Sequence, residues 1–167
     1  MTRTHPGFLQ SVFLRRVWVL LCGLLIVACS ADIGPDESLL YGTWVQEGAT
    51  QNDPTLVVEN AVITYAPDGM SDFKAIMTVT ENNGIPERFT ITAKVSWTLE
   101  ETILIRTLQE VSVTPDISTP AGDALAAELE KAYLSSPPGR LIIEQIDEAT
   151  LVLLDADTGT NLTYRKQ

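Results

Sequence analysis

From Leu40 to the C-terminus, apolar and polar residues alternate with a period of two. The longest run sets Phe89, Ile91, Ala93, Val95, Trp97 and Leu99 on one face, with Thr90, Thr92, Lys94, Ser96 and Thr98 on the other. Successive side chains of a strand point to opposite sides, so this is the pattern of a strand with one buried face. The preceding segment repeats it with Phe73, Ala75, Met77 and Val79. Glu81-Asn82-Asn83-Gly84 between the two reads as a hairpin turn, because Asn-Gly accepts positive φ angles. Pro67-Asp68-Gly69 marks another turn. Further strands are predicted over 41–47, 55–65, 102–113, 140–146, 150–155 and 161–166, which makes eight. One stretch breaks the period. Pro120-Ala121-Gly122-Asp123 leads into a helical segment through Leu134 of about three turns. Leu125, Leu129 and Ala132 share one of its faces, with Ala126, Tyr133 and Leu134 beside them, and Pro137-Pro138-Gly139 ends it. Eight short-linked strands predict an all-β fold: an eight-stranded antiparallel up-and-down barrel with one short helix between strands five and six. Closure removes exposed strand edges; a two-sheet sandwich is the competing architecture.

The N-terminus carries a different pattern. Arg3, Arg15 and Arg16 precede an uncharged run from Val17 to Ala28. The run is about 12 residues, too short for the roughly 20 of a spanning helix. A cationic start, an apolar centre and small residues before a cut describe a secretory signal peptide. Ile26-Val27-Ala28-Cys29 resembles the lipobox of a bacterial lipoprotein. The resemblance implies that residues 1–28 are removed and that Cys29 carries acyl chains such as palmitate, enough of them for stable membrane anchoring. Residues 29–38, with Gly34-Pro35 in their middle, then form a lipidated tether, and residues 39–167 a single domain. The implied location is the bacterial cell envelope. Ser30 after the cysteine further implies the outer membrane, facing the periplasm.

Charge and composition narrow the chemistry. Residues 1–28 hold three of the eleven basic residues and none of the 22 acids, so the remainder has eight cations against 22 acids, a net of −14. That sign excludes nucleic acid as a partner. Cleavage also removes His5, the single histidine, and Cys22. The mature chain then has no imidazole and no free thiol. Histidine-assisted nucleophiles, cysteine or histidine metal sites and an intramolecular disulfide are all excluded. No catalytic residue, metal or cofactor is expected, and the protein is read as non-enzymatic. Asp155-Ala156-Asp157-Thr158-Gly159-Thr160-Asn161 has glycine at the fifth position, where an EF-hand calcium loop needs an oxygen ligand, so it reads as a hairpin turn. The acidic surface either keeps the protein soluble or draws a cationic protein partner.

Leu40-Tyr41-Gly42-Thr43-Trp44 places a Gly-x-Trp on the first strand and resembles the opening of lipocalins and bacterial lipocalin-like domains. The resemblance covers about residues 39–167. It implies that Gly42 lets the chain pass close to its neighbour and that Trp44 plugs one barrel end. It also implies a basic residue near the last strand packed across the tryptophan, for which Arg165 in Leu162-Thr163-Tyr164-Arg165 is the candidate. Lipocalins place a helix after the last strand, and this chain departs from them there.

Phe73, Met77, Phe89 and Trp97 are candidates to line an apolar cavity and are equally suited to a solid core. Lys94 alternates with the apolar set and reads as solvent-facing. Arg106, if it faces inward, can meet a carboxylate or phosphate head group. Two function classes follow. The first is a lipid-anchored barrel that binds a small apolar or amphipathic ligand in an apolar cavity of at least some 300 Å3, open at one end. The second is an interaction, envelope-assembly or inhibitor lipoprotein with a filled barrel. It would meet its partner through the acidic surface or the excursion at 114–139.

Overall fold

The computed structural model describes residues 34–53, 55–80 and 85–167. The expected signal peptide, the lipid-attachment residue Cys29 and the expected turn at 81–84 lie outside the described residues. Strands β1 (Gly42–Gln46), β2 (Thr50–Asp53), β3 (Leu56–Tyr65), β4 (Met70–Thr80), β5 (Pro86–Glu100) and β6 (Ile103–Pro115) come first, followed by helix α1 (Pro120–Leu134). Strands β7 (Gly139–Ile146), β8 (Thr150–Asp155) and β9 (Asn161–Lys166) complete the chain. Every pairing is antiparallel. From β3 to β9 each strand pairs with the next, and β1 pairs with β9 on one side and with β3 on the other. Eight strands therefore close a ring, with the helix between the fifth and sixth of them, as the alternation predicted.

β2 is an addition to that prediction. It occupies the same edge of β3 as β1, pairing near residues 56–58 while β1 pairs with 62–65. The break falls where the β3–β4 register shifts between Glu59 and Val62, with Asn60 at φ 51. Asparagine tolerates that left-handed conformation better than most residues. Thr50-Gln51-Asn52-Asp53 has no apolar member, so it joins the sheet through its backbone and sends no periodic signal.

The strands are unequal, and this shapes the interior. β5 and β6 run for 15 and 13 residues, β7, β8 and β9 for only 8, 6 and 6. β6 pairs with β7 only over Ile103–Arg106. Beyond Arg106 its outer edge has no strand, and α1 covers it: the Val113 amide donates to the Glu130 carboxylate at 2.8 Å. The helix starts at Pro120, whose fixed φ suits a first helical position, and the Thr119 hydroxyl accepts from the Gly122 amide at 3.0 Å. Its packed face is Gly122, Leu125, Ala126, Leu129 and Tyr133. Ala132, expected on that face, is exposed, as is Leu134.

Two core clusters result. At the closed end Trp44, Ile63, Tyr65, Trp97, Leu104 and Tyr164 belong to a packed plug. Under the helix Met77, Phe89, Ile91, Val113 and Ala126 form the second. Residues 34–38, expected as tether, reach the barrel: Gly34 backs onto the Glu101 carbonyl, and Tyr41 donates to Glu37 Oε1 at 3.0 Å from a 3-10 turn (Glu37–Leu39). Among the described residues no helix is long and apolar enough to cross a membrane.

Candidate functional site

The closed end is built around the Gly-x-Trp. Gly42 has φ +112, a backbone angle that requires glycine, and a Cβ there would also come within 3.2 Å of Lys166 Cε. Trp44 is completely buried and donates from Nε1 to the Leu40 carbonyl at 2.7 Å. The cation across its ring is Lys166, with Nζ 4.9 Å from the centroid and donating to the Leu39 carbonyl at 3.0 Å. Arg165, the expected partner, does not hold this place. Strand period sends Tyr164 and Lys166 inward and Arg165 outward, where it binds Glu47 at 2.7 Å and Thr150 Oγ1 at 2.8 Å. This end is a plug of packed, buried side chains.

Between the two clusters lies a cavity of about 180 Å3, its walls almost wholly apolar. Phe73, Ala93, Val95 and Leu108 line it from the strands, Tyr133 from the helix, and Arg106 is its single charged residue. The β5–β6 register places Arg106 opposite the inward-facing Trp97, which settles its direction: Arg106 points into the barrel. Its guanidinium lies 5.8 Å from the Phe73 ring centre. Its Nε is buried without a hydrogen-bond partner, and no ion pair among the described residues involves it. Arg106 is thus a half-buried guanidinium whose Nε is sealed from water, with no ion-pair partner among the described residues.

Two tyrosines lie within electrostatic reach of it. Tyr65 is 1% exposed, and its hydroxyl also has no hydrogen-bond partner. Burial raises its pKa above the ordinary 10.0, and the Arg106 charge offsets part of that rise. Burial pushes Tyr164 up to about 12, again opposed by Arg106. Both phenols are therefore neutral near pH 7 and able to donate a proton in a hydrogen bond. Tyr133, also raised by burial, donates to Met77 Sδ at 3.4 Å, which ties the helix to β4 over the cavity.

The expected lining set is mostly redistributed. Phe73 lines the cavity. Met77 and Phe89, both fully buried, pack in the cluster under the helix, and Trp97 packs in the closed-end plug, edge-on to Tyr65 at 5.6 Å. The cavity is also smaller than the expected 300 Å3, because α1 presses Leu125, Leu129 and Tyr133 into the open half of the barrel. Tyr65 and Tyr164 were absent from the candidates, although each alternates with an apolar neighbour, Ile63 and Leu162 respectively, that marks its face as inward. Lys94 is exposed, as its alternation predicts. It borders a larger depression of about 430 Å3 on the outer face of β3 to β6. Asp72, Lys74, Lys94 and Glu110 there carry two charges of each sign and lie open to solvent, so that surface selects no ligand charge. Among the described residues no cluster of metal-ligating side chains occurs. The loop from Asp155 to Asn161, read as a hairpin turn, is a turn whose Asp155 Oδ1 accepts from the Asp157 and Thr158 amides at 2.9 and 3.0 Å.

No protein-family model matches this chain, and no curated protein matches it. Among solved structures it is similar to a lipocalin-like protein from Bacteroides uniformis. That likeness has 16% sequence identity, covers 77% of this chain and 99% of the other, and has a TM-score of 0.42.

Proposed function

We propose that this protein is a non-enzymatic binding barrel that takes a small apolar or amphipathic molecule into its interior, held at a bacterial envelope by acyl chains on Cys29. The observation that carries the binding part is the apolar cavity inside the barrel, with the unpartnered Nε of Arg106 in its wall. A solid core would leave no such space, since interiors otherwise pack to crystal-like density. Anchoring rests on the lipobox resemblance and on the cationic and apolar segments before it. The Ser30 position extends the proposal to the outer membrane.

Native mass spectrometry tests both parts on one preparation. The full chain is expressed in a bacterial host with its N-terminal segment intact and extracted in mild non-ionic detergent. A bound mass that leaves on denaturation is the expected result, and the denatured chain is expected to weigh residues 29–167 plus acyl groups. A clean ligand-free mass would overturn the binding reading in favour of a partner-binding lipoprotein. An unacylated chain that keeps residues 1–28 would overturn the anchor.

A further inference from the structure

We infer that Arg106 is an anion-binding residue and that the barrel's ligand is a small monocarboxylate, whose carboxylate seats on the guanidinium while its single ring or short chain fills the apolar cavity. This rests on the binding-barrel reading above and names the ligand class for that site.

The argument starts from the missing partner. A donor buried without a hydrogen-bond partner is costly, and Arg106 Nε is one, on a side chain that is otherwise half-buried. The chain has 22 acidic residues, yet none among the described residues lies within ion-pair distance of Arg106. The nearby Phe73 ring offsets only part of the cost. Tyr65 and Tyr164 remain neutral and cannot neutralise it. No counter-charge for it stands among the described residues, and the planar fork of a guanidinium matches a carboxylate in two-point geometry. A phosphate would bring a second negative charge and a third strong acceptor into a cavity with one cation and apolar walls.

Size limits the remainder of the molecule. The cavity of about 180 Å3 is close to the ~150 Å3 engineered apolar cavity that holds one benzene ring. One aromatic ring or a short aliphatic chain fills it, whereas most of a long acyl chain would lie outside. Val95, Leu108 and Val111 beside Arg106 supply the apolar contact, and the unpartnered Tyr65 hydroxyl is a further donor near the charge.

The test compares para-fluorobenzoate with its neutral isostere para-fluorobenzyl alcohol. Both are titrated by fluorine NMR onto the full chain held in lipid nanodiscs, with empty nanodiscs as the blank. The acid is expected to bind at least roughly tenfold more tightly than the alcohol, as charge-assisted hydrogen bonds require. Arg106→Gln is expected to remove that preference, weakening the acid about tenfold and leaving the alcohol nearly unchanged. If Arg106→Gln fails to fold, Arg106→Met replaces it, since an apolar residue there removes the unpaired charge. Equal binding of acid and alcohol by the wild-type chain would leave the binding barrel standing and overturn the carboxylate assignment. Acid binding that survives both substitutions would overturn the role of Arg106. Binding of neither compound would remove the cavity reading and this inference with it.

Discussion

Arg106 and Tyr65 are the described residues that hold a buried polar side-chain atom without a hydrogen bond, and each makes a different demand on the fold. The tyrosine is legible in part: it follows Ile63 at strand spacing, so an inward ring is expected, and it is 1% exposed. That its hydroxyl meets no partner could not be read, because the answer depends on which strands lie opposite. Tyr65→Phe keeps the ring and its edge contact with Trp97 at 5.6 Å while deleting an unpaired donor. We expect it to raise stability by about 1 kcal/mol, read as a higher urea midpoint at unchanged slope. A loss of similar size would mean that the hydroxyl serves an ordered water. Arg106 was ambiguous for a different reason. Ile103 and Ile105 alternate with Leu104, Arg106 and Leu108, so both faces of that segment look half apolar. The choice is made by pairing, which sets Arg106 opposite Trp97 and Leu104 opposite Leu99. The barrel-end cation is the same lesson reversed. Arg165 looked right by type, whereas its neighbour Lys166 is right by parity and stands in register with Trp44.

The helix shows how an element can be foreseen while its role is not. Pro120 and the run of Ala, Leu and Glu predict a helix from local preference alone. Its function as a wall segment follows from the lengths of other elements. β6 outruns β7 by several residues, and its free edge would be exposed without a cover. Glu130 makes that attachment specific by accepting the Val113 amide. Glu130→Ala leaves this edge amide to water and is expected to cost about 1.5 kcal/mol, the low end of the range for a hydrogen bond to a charged group. Hydrogen exchange read by mass spectrometry is expected to quicken in peptides covering residues 111–115 and 120–134, with the closed-end strands unchanged. Uniform quickening everywhere would instead show that the helix and the barrel open as one unit.

At the scale of the molecule, the barrel is closed all round but occupied unequally, solid at the Trp44 end and hollow beneath the helix. Its interior phenols give it a pH limit. Tyr164 titrates at about 12 in the fold, against the ordinary 10.0. Raised in the folded state, it keeps its full contribution below pH 10 and loses it between 10 and about 12, because the unfolded chain releases its proton first. The loss is on the order of 3 kcal/mol from this residue, and Tyr65, shifted the same way by burial, adds to it. Alkaline unfolding that coincides with tyrosinate absorbance is the expected signature. A Tyr164→Phe chain that unfolds at the same pH would refute the assignment. From sequence alone came the eight strands of the ring, the inward face of β4 and β5, the helix and its start, and the barrel itself. Period-two alternation and turn chemistry act between near neighbours, and eight short-linked strands have few ways to bury one face each. Only the tertiary structure decided that β1 closes onto both β3 and β9, that Lys166 caps Trp44, and that Arg106 faces into a cavity of about 180 Å3. Those outcomes depend on register and on the unequal lengths of strands far apart in the chain, and no local pattern carries that information.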